Sequence, residues 1–207
     1  MTRFIKYIKE NKNWFDDVQK YCRSYLNMLN NNNIKTPFFR GMKSTDEWFK
    51  RSVRKDRQPR VTDIDVYKTI NNYYEDMGHV PRDRAVITSP KYKWAKFFAR
   101  LAGGNVYSIF PIGSFDFSFV PTYDFNSLYD NSNISTDLFN YLSRGYYEDD
   151  DQLDDILDEL GELTNTNKNI SLAHKNGYEV WFGCDEYYAI NAPDEEKSKQ
   201  LLSMLLS

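Results

Sequence analysis

Apolar side chains recur at steps of three, four and seven near the start of the chain, at Phe4, Ile8, Phe15, Val18, Cys22, Tyr25 and Leu29, with charged residues between them. The spacing predicts a helical stripe over 2–29, with a break near Asn11–Asn13, closed by the turn-forming run Asn30–Asn33. Thr36–Gly41 then reads as a short strand. Asp63–Met77 reads as a helix capped by Thr62 or Asp63 and stopped at Gly78. Arg84–Ser89 is a predicted strand closed by Pro90. Lys91–Leu101 carries Trp94, Ala95, Phe97, Phe98 and Leu101 at helical spacing and ends at Gly103-Gly104. Val106–Ile112 and the Phe-rich run 115–119 predict two further strands. Leu153, Ile156, Leu157, Leu160 and Leu163 form an apolar stripe within an acidic tract, which predicts a helix. Thr164–Asn176 is polar and aperiodic and reads as an exposed loop. Tyr178–Phe182 and Glu186–Ile190 are predicted strands around Gly183, and Asp194–Leu205 is a terminal helix.

This mixture of strands and helices predicts an α+β protein. With no internal repeat and no linker composition, the 207 residues read as one domain. Within it, 1–33 is a helical segment, 36–190 the core and 193–207 a closing helix. Sixteen Tyr and 14 Phe make a ring-rich core, at odds with general disorder. No stretch approaches the ~20 apolar residues of a membrane span, so no membrane is expected. Two cysteines, Cys22 and Cys184, are too few for a disulfide scaffold, and a reduced, cytoplasmic chain is the simplest reading.

The net charge of −3 argues against a general nucleic-acid binder, but the charge is unevenly spread. Residues 40–60 hold eight basic side chains against three acids, and 146–162 hold nine acids with no Lys or Arg. The basic tract suits a pyrophosphate or a nucleic-acid backbone, and equally a solvated loop. Sequence signatures for a phosphate loop, a dinucleotide fold and a metal cluster are missing, and His79 and His174 lack partners at ligand spacing.

Three segments remain as candidates for chemistry: Phe-Phe-Arg-Gly at 38–41, Ile-Thr-Ser at 87–89 before an aromatic helix, and Tyr-Glu-Val at 178–180. In this order they resemble the ADP-ribosyltransferase superfamily, whose pattern is Arg on one strand, a Ser/Thr motif on a second before a helix, and a late Glu. VITSPKYKWAKFFA (86–99) and YEVWFGCDEYYAI (178–190) carry the resemblance, and the layout is similar to small phage-encoded members. The resemblance implies a split β-sheet core with flanking helices, NAD as the substrate, and mono-ADP-ribosyl transfer to a host protein or nucleic acid, in the host cytoplasm. It implies that Glu179 is the catalytic carboxylate. It further implies that Arg40 holds phosphate, Gly41 lets main chain approach the nicotinamide amide, and Thr88 or Ser89 orders the site. Tyr92 and Phe98 are candidates for walls around the nicotinamide, with core packing the alternative for Phe98.

A carboxylate suits this chemistry because it accepts a bond from the sugar hydroxyl and opposes the charge growing on an oxocarbenium-like ring. A guanidinium suits a pyrophosphate because its planar fork matches the oxygens. Two positions depart from the pattern. Ile87 stands where the family has its first Ser, and Gly177 stands where arginine-modifying members have a second acid, which makes arginine a poorer acceptor. The rivals are an inactive binding or inhibitor module of the same layout, and a nucleic-acid-binding protein.

Overall fold

The computed structural model describes residues 12–55, 57–59, 63–125, 128 and 134–207. The predicted helical turns over 2–11, Arg60 and the alternative cap Thr62 lie outside the described residues. Among those described, the chain is α+β, with eight helices and two antiparallel sheets. It begins with helices α1 (Lys12–Tyr21) and α2 (Arg23–Asn31), then strands β1 (Phe38–Met42) and β2 (Trp48–Ser52) and helix α3 (Ile64–Asp76). A single 3-10 turn, Arg82–Arg84, leads into β3 (Val86–Thr88), α4 (Tyr92–Ala102), β4 (Asn105–Pro111) and β5 (Asp116–Phe119). Helices α5 (Thr136–Arg144) and α6 (Asp150–Leu163) precede the two-residue β6 (Asn165–Thr166) and α7 (Ile170–Asn176). Strands β7 (Val180–Gly183) and β8 (Glu186–Asn191) and helix α8 (Glu195–Leu205) complete the order.

Contacts gather these elements into two compact units, each assembled from separated stretches: Met1–Val53, Thr88–Phe115 and Cys184–Ser207 in one, Arg54–Ile87 and Asp116–Gly183 in the other. In the first unit the sheet runs β1-β4-β8-β2, every neighbour antiparallel. The N-terminal stripe packs as its spacing requires: Trp14, Val18, Cys22, Tyr25 and Leu29 are all buried. A break falls at Cys22, between α1 and α2, while the break predicted near Asn11–Asn13 borders residues outside those described. Phe38 and Phe39 point to opposite sides of β1, and both are fully buried, so the strand is covered on both faces.

Helix α4 comes unusually close to β1, and Gly41 is the reason. A Cβ there would sit 2.2 Å from the Ala99 amide nitrogen and 2.4 Å from the Ala95 carbonyl oxygen. The helix therefore turns a narrow alanine face inward, where Ala95 and Ala99 join Phe39, Val106 and Ala192 in one cluster. Its larger side chains, Phe97, Phe98 and Leu101, stay outside.

The second sheet runs β3-β7-β5-β6. Trp181 on β7 is fully buried, stacks on Tyr74 of α3 at 6.2 Å between centroids, and donates its indole N–H to the Val80 carbonyl. Asp63 caps α3, accepting from the amides of Asp65 and Val66. The acidic tract folds as α6, with Ile156, Leu157 and Leu160 inward and most carboxylates in solvent.

Two segments differ from expectation. Trp48–Ser52, read as part of a basic tract, is an edge strand paired along its length with β8, and Lys50 meets Glu186 at 2.7 Å. Thr164–Asn176, read as a loop, contains β6 and α7. Asn167 and Asn169 adopt left-handed backbone, which Asn tolerates, and the turn they make lets Ile170 and Ala173 reach the interior.

Both cysteines lie in the first unit and neither is bridged. Cys22 is fully buried and its Sγ–H donates to the Phe110 carbonyl at 3.5 Å. Burial pushes both thiols up to about 12. Since the thiolate is the nucleophile, native protein at pH 8 is expected to react with a disulfide reagent far more slowly than protein unfolded in guanidinium. Equal labelling rates in the two states would contradict this packing.

Candidate functional site

The sequence candidates fall into two groups, one in each unit. Glu179 lies in the second. It immediately precedes β7, and its amide donates to the Thr122 carbonyl at 2.8 Å, which fixes the main chain where β7 leaves helix α7. Upstream, Gly177 ends that helix with φ +86°, a backbone that costs a residue bearing Cβ. This gives a physical reason for the departure at Gly177: an acid at that position would be strained.

The Glu179 side chain turns inward. Only 6% of the residue is exposed, and its Oε1 accepts from Arg82 Nη2 at 2.6 Å. Arg82 is equally buried, its guanidinium lying 4.2 Å from the Phe125 ring centroid and 5.6 Å from that of Trp181. Burial raises the carboxyl's pKa, and the guanidinium pulls it back, aided by the more distant Arg57; Asp124 pushes it further up. The pair is held by one oxygen and one nitrogen rather than by a two-pronged fork. Arg82 Nε is buried without a hydrogen-bond partner. Asn71, one turn along α3, ties this region to the main chain: its Nδ2 donates to the Tyr67 carbonyl, and its Oδ1 accepts from the Asp83 amide.

Buried donors are almost always satisfied, so an orphaned guanidinium nitrogen on the residue that pairs with this carboxylate calls for an explanation. A hydroxyl or phosphate oxygen of a ligand would satisfy it. Arg82 was not a candidate from the sequence. Its role rests on a partner 97 positions away, and Pro-Arg-Asp-Arg carries no local signal of that pairing.

The second group lies in the first unit. Phe39 and Ser89 exchange both main-chain hydrogen bonds at 2.8 Å, so Arg40-Gly41 starts beside Ser89 at the end of the Thr88-Ser89 motif. Arg40 is half-buried on β1, opposite Tyr107, and Thr88 and Ser89 are buried. Ser89 Oγ accepts from the Lys91 amide at 3.1 Å, which shapes the turn into α4. Gly41 owes its identity to the approach of α4, so helix packing accounts for the missing Cβ.

Tyr92 is used by the core: its ring meets Phe39 edge-on at 5.5 Å, and its hydroxyl lies 3.0 and 2.7 Å from the Ala192 and Pro193 carbonyls. Phe98 is exposed on α4 against Phe97, so the core-packing alternative for Phe98 does not hold. Of the histidines, His79 Nδ1 shares a 2.6 Å hydrogen bond with Thr166 Oγ1, and burial lowers its pKa. Among the described residues no group of three or more His, Cys, Asp or Glu is placed to hold a metal ion. No helix among them is long and apolar enough to cross a membrane.

Compared with protein-family models, with curated proteins and with solved structures, the chain finds no match. The geometry and the residues therefore carry the functional argument alone.

Proposed function

We propose that the protein is a mono-ADP-ribosyltransferase that moves ADP-ribose from NAD to a host macromolecule, with Glu179 as its catalytic carboxylate. The observation that carries this reading is the buried Arg82–Glu179 pair with an unpartnered donor beside it. A surface glutamate at a strand edge would be solvated. This one is desolvated, fixed from both main chain and side chain, and engaged by Arg82 through one oxygen only.

In the proposed reaction the bond between the sugar and the nicotinamide nitrogen breaks, and its electron pair goes to that nitrogen. The sugar carbon becomes cationic, takes the acceptor's lone pair, and the acceptor loses a proton. Glu179 accepts a hydrogen bond from the sugar hydroxyl and opposes the cation, at an energy enhanced by its dry surroundings. Arg82 opposes the burial that raises the carboxyl's pKa and so favours its ionised form. Arg40 takes phosphate and Thr88 or Ser89 supplies an ordering hydroxyl, following the resemblance. The left-handed backbone at Gly177 disfavours the second acid of arginine-modifying members, in keeping with a different acceptor.

A second reading, an inactive binding module of the same layout, is favoured by the low exposure of Glu179 and by its pairing with Arg82, which itself lies over Phe125. One experiment separates the two. Purified protein is incubated with NAD, following nicotinamide release and transfer of labelled ADP-ribose to host lysate, beside Glu179→Ala and the isosteric Glu179→Gln. Turnover that disappears in both folded variants supports the enzyme. No turnover in the parent, with no NAD-induced rise in Tm, supports the binding module.

A further inference from the structure

Helix α4 solves one packing problem and creates another. With its alanine face against β1, it presents Trp94, Phe97, Phe98 and Leu101 at i, i+3, i+4 and i+7, the spacing of a helix that docks its own apolar stripe. Phe97 is 50% and Leu101 67% exposed. Beside this stripe run the exposed Lys93, Lys96 and Arg100, and the helix carries no acid. An apolar stripe with a basic flank calls for an apolar patch with an acidic flank.

The chain carries such a patch in its second unit. Between α5 and α6, Tyr146 is 56% and Tyr147 40% exposed, the latter steadied edge-on against buried Tyr141. Exposed carboxylates follow at once: Glu148, Asp149, Asp150 and Asp151, then Asp154 and Asp155 on α6. Arg144, also exposed, precedes the tyrosines in the chain. Asp149 is held as the α6 cap by the Gln152 amide at 2.9 Å, so this patch has a fixed shape.

We infer that α4 of one copy docks on the Tyr146–Asp155 segment of a second copy. Two α4 helices would oppose basic flanks, and two acidic segments would oppose carboxylates, so the contact is between unlike surfaces. Such a head-to-tail contact either closes into a ring or extends as a chain of copies. The ionic part weakens with salt, because the charges are exposed.

Sedimentation velocity over three decades of protein concentration, at low and at about 0.5 M salt, tests this. The parent is expected to associate with rising concentration, and less so at high salt. Reversing the helix charges (Lys93→Glu, Lys96→Glu, Arg100→Glu) or the segment charges (Glu148→Lys, Asp151→Lys, Asp155→Lys) should each weaken association at least about tenfold. Mixing the two reversed proteins should restore it, since each then meets its opposite. Unchanged far-ultraviolet circular dichroism checks that both variants fold, and Leu101→Ser provides an apolar variant that should also dissociate. A parent that stays monomeric throughout overturns the inference. So does an association that ignores the charge swap, or an α4 that binds only anionic vesicles (phosphatidylserine in phosphatidylcholine) with no self-association.

Discussion

Methionine in place of Arg82 is expected to destabilise the protein by about 3–5 kcal/mol at neutral pH, the usual result of leaving one member of a buried pair without its partner. Both side chains are more than nine-tenths buried, so solvent cannot take over the role of the guanidinium. The variant also loses the stacking of Arg82 over Phe125, worth about 0.5–2 kcal/mol. The deficit has a defined pH dependence. Burial already raises the Glu179 pKa and Arg82 pulls it down, so removing Arg82 sends it higher. A carboxyl whose folded pKa lies above its unfolded value binds more protons when folded, so stability falls as pH rises through that interval. The variant's deficit should therefore be largest at neutral pH and shrink toward pH 4, as measured by urea denaturation across pH. A deficit that is constant with pH would mean that Glu179 is not the group left unpaired. Adding Glu179→Gln should recover much of the loss, because a neutral amide needs no counter-charge. On the proposed reaction, the double variant folds but releases no nicotinamide.

What could be read from the sequence was what depends on neighbours in the chain. The cap at Asp63, the left-handed stop at Gly103 and the burial of Val18, Cys22, Tyr25 and Leu29 follow from local propensity and period, and each is found in the structure. Strand β2 escaped because four of its five residues are exposed and three are polar, so the pattern is that of a solvated tract. Its identity as a strand comes from pairing with β8, nearly 140 positions later. Helix α7 escaped because it is short, polar and entered through two left-handed asparagines.

The candidate site divides in the same way. Glu179 is singled out by its motif. Arg82, which pairs with Glu179, is not, because burial and pairing are properties of the folded chain. The aromatic stripe on α4 gave an incomplete account for a related reason. Periodicity shows that a helix has an apolar sector, but not which sector the neighbouring strand can accept.

The acceptance of the alanine sector rests on one missing methyl group, and Gly41→Ala is expected to cost about 3 kcal/mol or more, at the upper end of overpacking effects. The atoms in the way are main chain: the Ala99 amide nitrogen and the Ala95 carbonyl oxygen, at 2.2 and 2.4 Å from the new Cβ. A clash with a flexible side chain would be relieved by a rotamer change. This one requires α4 and β1 to separate by roughly an ångström, opening the cluster of Phe39, Ala95, Ala99, Val106 and Ala192. Trimming the helix should not help: Ala99→Gly removes a Cβ and leaves the offending nitrogen, so the Gly41→Ala/Ala99→Gly double variant should be no more stable than Gly41→Ala alone. Chemical denaturation of the three proteins decides it, and rescue by Ala99→Gly would show that side chains, not main chain, set the distance. The same displacement would disturb the paired main chain of Phe39 and Ser89, and with it the placement of Arg40 relative to Ser89. On the proposed reaction, and under conditions where the variant remains folded, its KM for NAD should rise more than its kcat falls, because the proposed role of Arg40 is to hold phosphate and that of Glu179 to stabilise the sugar cation.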